Sequence, residues 1–258
     1  MIRRLVRVAL ASAAATAALA TTGCGGADAE SPDDVAAQLS ASDAALRQAI
    51  DSWRASEDPP SAPPTAEVLA EASTLQDQVR FLAGHPNLTS QVMPLLATRL
   101  AAEFRHLIAA RRDLLRLSKG TPNVKLKLGQ RPPLSELAGH YAEANRRLGI
   151  GPHYLAAVHL VETKFGRVRN NSVAGAQGPM QFIPSTWRIY GHGGDIQDPH
   201  DAILAAARLL RANGAPHRYG PALRAYNNSG LYVDAVSHYA KLIAREPYAL
   251  YFLYAWEP

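Results

Sequence analysis

The chain of 258 residues contains one cysteine. That excludes an internal disulfide and a multi-thiolate zinc or iron–sulfur site, so its stability must come from packing. It also lacks any basic run interleaved with aromatics beyond its first residues, which argues against a nucleic-acid footprint despite a sequence pI near 9.4. Low-complexity bias is absent too. With 47% hydrophobic and 19% charged residues, 18 Gly and 18 Pro, the composition excludes a collagen-like or wholly disordered chain. At roughly 150 residues per domain, the length corresponds to one or two folded domains.

Arg3, Arg4 and Arg7 precede an uncharged stretch of small and apolar residues from Val8 to Ala20, the pattern of an export signal over 1–23. At about 1.5 Å rise per residue this stretch is too short for a hydrocarbon core of about 30 Å, so cleavage is expected rather than a permanent span. Thr21-Thr22-Gly23-Cys24 follows directly and resembles a bacterial lipobox, in which the cysteine is acylated and becomes the new N-terminus. An ordinary cleaved signal with an incidental thiol is the alternative. Loss of the three arginines would lower the formal charge from +5 to +2, so the basic pI is partly an export signature.

Residues 24–32 read as a polar tether and 33–118 as an N-terminal helical region. Val35, Leu39, Leu46, Ile50 and Trp53 form one helical stripe. Pro59, Pro60, Pro63 and Pro64 mark a loop, after which helical character resumes from Ala66 to Ala83. A single long helix is expected from about Thr89 to Leu117, making a helical hairpin or small bundle. Such stripes are ordinarily core. Residues 119–134, with Gly120, Pro122 and Pro132-Pro133, form a linker, and Ser135 is placed to cap a helix running from Glu136 to about Leu148.

The informative residues follow, in 135–258. Within a helix over His153–Phe165, Leu155, Val158, Glu162 and Phe165 share one apolar stripe. Burying a carboxylate without partners is costly and raises its pKa, so Glu162 would stay protonated near neutrality. Of the positions three or four residues away, only His159 could pair with it; otherwise a structural salt bridge needs a distant Lys or Arg. The segment from Asn170 to Pro184 places small and amide side chains around glycines, with Ser172, Gln177 and Gln181 offering neutral hydrogen bonds to sugar hydroxyl and acetamido groups.

These residues resemble the peptidoglycan lytic transglycosylases of the membrane-bound B type. The resemblance covers roughly Ser135 to Ile243. It rests on Val161-Glu162-Thr163-Lys164-Phe165-Gly166, on the run from Ser172 to Trp187, on Gly194 to Ile203, and on Ala225-Tyr226-Asn227-Asn228-Ser229. It implies a mainly α fold: a lysozyme-like helical catalytic domain preceded by the N-terminal helical hairpin or bundle. It also implies that Glu162 is the single catalytic acid, with Ser172, Gln181, Asn227 and, more weakly, Tyr226 positioning the glycan or the acid. No cofactor or metal is implied, since His192 to Asp201 lacks the carboxylate spacing of a calcium loop.

Glycosidases usually need two carboxyl groups about 5 to 9.5 Å apart. Between Gly151 and Gly230 the acids are Glu162, Asp195, Asp198 and Asp201, and the last two suit a helix start running to Leu210. Asp195 alone is spare. A transglycosylase needs no second carboxylate, because the C6 hydroxyl of N-acetylmuramic acid is the nucleophile and closes a 1,6-anhydro ring. The alternatives are a muramidase using Asp195 as base and a non-catalytic peptidoglycan-binding lipoprotein. The expected partners are glycan strands, a membrane surface facing the wall through the lipid on Cys24, and wall-synthesis or division proteins on the N-terminal helices. In the tail, Tyr248, Tyr251, Phe252, Tyr254 and Trp256 are expected to dock on the domain rather than stack on sugars.

Overall fold

The computed structural model describes residues 31–121 and 124–258; the signal segment and Cys24 lie outside the described residues. The fold is mainly helical. α1 (Pro32–Arg54) begins where Ser31 caps the Asp34 amide, with Pro32 in the first turn and Asp33 and Asp34 at the positive end of the helix dipole. After the proline loop, Thr65 caps α2 (Ala66–Gly84) through the Val68 amide at 3.2 Å.

The long helix expected from Thr89 to Leu117 is interrupted. α3 spans Pro86–Val92, a 3-10 turn follows at Met93–Leu95, and α4 spans Thr98–Ser118. Pro94 supplies no amide hydrogen to continue the ladder, and Leu96 is already extended, so the chain turns before α4 starts. Ser135 does not act as a cap either. α5 (Leu134–Leu148) starts one residue before it, after Pro133, and the Ser135 amide donates to the Pro60 carbonyl at 3.1 Å.

α6 (Pro152–Thr163) is buried along most of its length. α7 (Pro184–Tyr190) and α8 (Pro199–Ala212) follow, and Asp198 caps α8 through the Asp201 amide at 2.9 Å, as the sequence implied. α9 (Tyr219–Tyr226), α10 (Gly230–Arg245) and α11 (Ala249–Ala255) complete the chain. α10 lies between α4 on one side and α6 on the other, so the N-terminal helices and the later ones share one hydrophobic core. No helix among the described residues is long and apolar enough to cross a membrane.

Two features fasten the halves together. The aromatic tail docks: Phe252, Tyr254 and Trp256 are buried, and Tyr254 stacks on Trp53 of α1 with ring centroids 6.1 Å apart. A partly buried ion network joins α1, α4 and the end of α10. Arg47 donates to Asp43 at 2.8 Å, Glu103 at 2.9 Å and Glu246 at 3.0 Å, while Arg99 reaches Asp43 and Glu103 as well.

Candidate active site

Glu162 sits in the last turn of α6 and is 8% exposed. The helix ends abruptly after it, because Lys164, Phe165 and Gly166 take left-handed conformations, with φ of 52°, 57° and 80°. Thr163 locks this end to the following loop: its hydroxyl donates to the Pro179 carbonyl at 2.6 Å and accepts from the Gly166 amide at 2.9 Å.

The Tyr232 hydroxyl, fully buried on α10, donates to Glu162 Oε1 at 2.7 Å. Oε2 is buried without a hydrogen-bond partner. Among the described residues none forms an ion pair with Glu162, which answers the salt-bridge alternative. His159 is not a partner, since its Nδ1 is hydrogen-bonded to the Tyr141 hydroxyl at 2.8 Å and burial depresses its pKa to about 3, leaving a neutral imidazole. Burial raises the Glu162 pKa to about 8, against the smaller opposing effect of the Tyr232 hydrogen bond. The carboxyl is therefore mostly protonated at neutral pH.

A narrow hollow beside Glu162 is lined by Ser172, Gln181, Asn170 and, from the linker, Val124 and Leu126. Ser172 accepts from the Ala176 amide at 2.9 Å, closing the tip of the loop. Gln181 has a left-handed backbone, φ 49°, and its amide donates to the carbonyls of Gly178 (3.0 Å) and Asn170 (3.2 Å). It also lines a neighbouring hollow of about 210 Å³ with Phe182, Tyr226 and Asn228, so it borders both spaces. Gly178 is the tightest point of the loop: at φ +73°, a Cβ there would lie 1.9 Å from the Ile196 carbonyl oxygen.

The other site candidates are placed differently. The Tyr226 hydroxyl donates to the Met180 carbonyl at 2.6 Å and its ring stacks parallel to that of Tyr232, centroids 6.3 Å apart, so it braces the loop against the acid's partner. Asn227 is buried, 3% exposed, with its side-chain amide nitrogen unpartnered, and it does not line the hollow beside Glu162. Asp195 is exposed, accepts from the Gln197 amide at 2.8 Å, and is also absent from that hollow. Asp198, His200 and Asp201 have ligand atoms within 4.8 Å of one another, yet each has an internal duty: Asp198 caps α8, Asp201 accepts from the Asp195 amide, and His200 pairs with Glu143.

Residue-by-residue reading of the sequence missed three contributors. Tyr232 is 70 positions from Glu162 and carries no local signal. Val124 and Leu126 belong to a segment that reads as a plain linker. That segment pairs with 167–169 through the Gly129 amide to the Arg167 carbonyl (2.9 Å) and the Arg169 amide to the Lys127 carbonyl (2.8 Å), with the Asn170 side chain bonded to Lys125 and Lys127.

No curated protein and no solved structure matches the chain. Residues 140–242, from α5 through most of α10, match the family described as Transglycosylase SLT domain. Members of that family are lytic transglycosylases. The stretch that carries Glu162, Ser172, Gln181 and Tyr232 is therefore similar to the SLT transglycosylase domain of the lysozyme-like lytic transglycosylase family.

Proposed function

We propose that the protein is a peptidoglycan lytic transglycosylase in which Glu162 acts first as acid and then as base. The observation that carries this reading is a carboxyl group buried beside a loop of neutral hydrogen-bonding side chains, with one oxygen held by Tyr232 and the other free. Because Tyr232 donates to Oε1, the acid's own proton belongs on Oε2. From there it passes to the glycosidic oxygen between N-acetylmuramic acid and N-acetylglucosamine. The muramyl acetamido group stabilises the oxocarbenium-like centre. Ionised Glu162 then takes the proton of the C6 hydroxyl, whose oxygen attacks C1 and closes the 1,6-anhydro ring. A pKa of about 8 suits a group that must give and regain a proton near neutrality.

The hollow that Glu162 shares with Ser172 and Gln181 encloses about 20 Å³, room for a water rather than a sugar ring, so productive binding displaces the side chains of Val124 and Leu126. Ser172 and Gln181 supply hydrogen bonds to the bound strand, with Tyr226 and Asn227 supporting them. In the same reading the chain is exported, acylated on Cys24, and held at the membrane surface facing the wall as a membrane-bound B-type enzyme. The N-terminal helices offer a surface to wall-synthesis or division proteins.

Mass analysis of purified peptidoglycan after digestion tests the reaction. A product lighter by one water than the hydrolytic one supports ring closure, and the hydrolytic mass overturns it. Sugar release by Glu162→Gln equal to that of the native protein would remove this residue from the chemistry. Metabolic labelling with a fatty acid, compared between the native chain and Cys24→Ala, tests the anchor.

A further inference from the structure

A second hollow borders Glu162, sharing Leu126 and Val168 with the first, where α2 and α4 of the N-terminal helices meet the end of α6. Its walls include Arg80 of α2, Arg111 of α4, Lys164 just after α6, and Trp256 just after α11, with Glu162 at its edge. It encloses about 60 Å³. At roughly 10–15 Å³ for each water, that accommodates a few waters or one carboxylate, but no sugar ring.

Two buried donors on these walls lack partners. Arg111 Nε and Trp256 Nε1 are buried with no hydrogen bond, and Trp256 is only 3% exposed. Lys164 forms no ion pair with any described residue; its ammonium lies 5.8 Å from the centre of the Trp256 ring. Glu257 reaches the same hollow but is already held by Arg131 at 2.9 Å and Arg167 at 3.0 Å, and Arg80 is paired with Asp77 at 2.9 Å. Partly burying two cations that have no ion pair of their own is unfavourable, and Glu257, already shared by Arg131 and Arg167, offsets this only in part for Lys164. The strain shows in Lys164, whose pKa falls to about 7 through burial and through the neighbouring arginines.

We propose that this hollow is an anion subsite that takes a carboxylate of the peptide substituent on the sugar being cleaved, with Arg111 and Lys164 as counter-charges and the Trp256 indole as a neutral donor. The inference rests on the transglycosylase reading of Glu162. N-acetylglucosamine is neutral, whereas the muramyl lactyl group carries a peptide with carboxylates. A site that shares Glu162 with the cleft lies beside the sugar being cleaved, which carries that substituent.

The test uses the full chain and muramyl dipeptide, which carries one carboxylate, followed by the indole ¹H–¹⁵N signal of Trp256 assigned with Trp256→Phe. The expected result is a saturable shift of that signal. Binding should be about tenfold weaker in Arg111→Met and Lys164→Met, and about tenfold weaker for native protein with the carboxyl-amidated peptide, as for loss of one charge-assisted contact. The amidated arm needs no variant to fold. No Trp256 shift, equal affinity for the amidated peptide, or acetate binding as tightly as the peptide would each overturn the proposal. Sugar release from sacculi is measured in parallel: activity without this binding sinks the subsite alone, and binding without an anhydro product sinks the transglycosylase reading.

Discussion

Tyr232 donates a 2.7 Å hydrogen bond to one oxygen of Glu162 and leaves the other oxygen bare. The bond orients the carboxyl, and because it favours the ionised form it also lowers the pKa that burial has raised. Tyr232 itself stays protonated, since burial and the adjacent carboxyl push its own pKa well above the usual phenol range. Tyr232→Phe should therefore shift the alkaline limb of the pH–rate profile upward, because Glu162 then loses its proton at higher pH. At neutral pH kcat should fall by about tenfold or more as the carboxyl loses its orientation. A profile whose alkaline limb moves to lower pH would contradict this assignment.

The same burial makes Glu162 costly to the fold. Its folded pKa of about 8 lies above its ordinary value of 4.5, so the native state binds a proton that the unfolded chain has released. Stability then falls as pH rises between those two values. Glu162→Gln, which carries no proton to lose, should gain on the native protein by up to about 1.4 kcal/mol per pH unit across this window, while activity is abolished. Thermal melts of both proteins at pH 5, 6.5 and 8 measure it. A constant difference would mean that Glu162 is not protonated in the fold.

Much of this site was legible in the residues themselves. The buried Glu162, the amide-rich loop and the Asp198 cap all depend on signals within a short window, although α6 is buried all along Leu155–Thr163 rather than on the single stripe that spacing implied. What the sequence hides is long-range or backbone-encoded. Tyr232 meets Glu162 through the packing of α10 on α6, the linker enters the cleft through pairing between 127–129 and 167–169, and Lys164 faces a cavity because three consecutive residues turn left-handed. Pro94 is a local signal masked by the periodicity around it: Val92 before it and Leu96 and Leu100 after it keep helical spacing although the chain breaks between them. Asn227 shows the reverse case, a motif residue whose burial puts it away from the hollow beside the acid.

The Arg47 network predicts a pH-dependent stability defect. Arg47 is the common partner of Asp43, Glu103 and Glu246. Glu103 is held at a pKa of about 7, chiefly by burial and by Asp43, with Arg47 pulling the other way. Arg47→Met removes that pull, so the Glu103 pKa rises further and more of the carboxyl must be protonated in the fold. Losing one partner of a buried pair costs about 3–5 kcal/mol, and the loss should be larger at pH 8 than at pH 5, where protonation relieves the repulsion. Denaturant midpoints at the two pH values check it, and sugar release measured below the melting range should be affected far less than stability.

Gly178 ties the loop's shape to its function. Its φ of +73° already disfavours any side chain, and the added Cβ would meet the Ile196 carbonyl oxygen, a backbone atom with little room to yield. The adjacent turn is closed by two hydrogen bonds between Gln177 and Phe182, each 2.9 Å, and the Gly178 carbonyl accepts from the Gln181 side chain. Moving residue 178 therefore moves Gln181 relative to Glu162. Gly178→Ala should lower stability by about 2 kcal/mol or more and reduce sugar release beyond what the unfolded fraction explains. Gly193→Ala separates the two causes: it carries a similar φ of +82° in open space, so it should show the backbone penalty without the loss of activity. Comparing kcat/KM and melting temperature for the two variants decides whether the contact at Ile196, rather than left-handed strain alone, holds the loop in place.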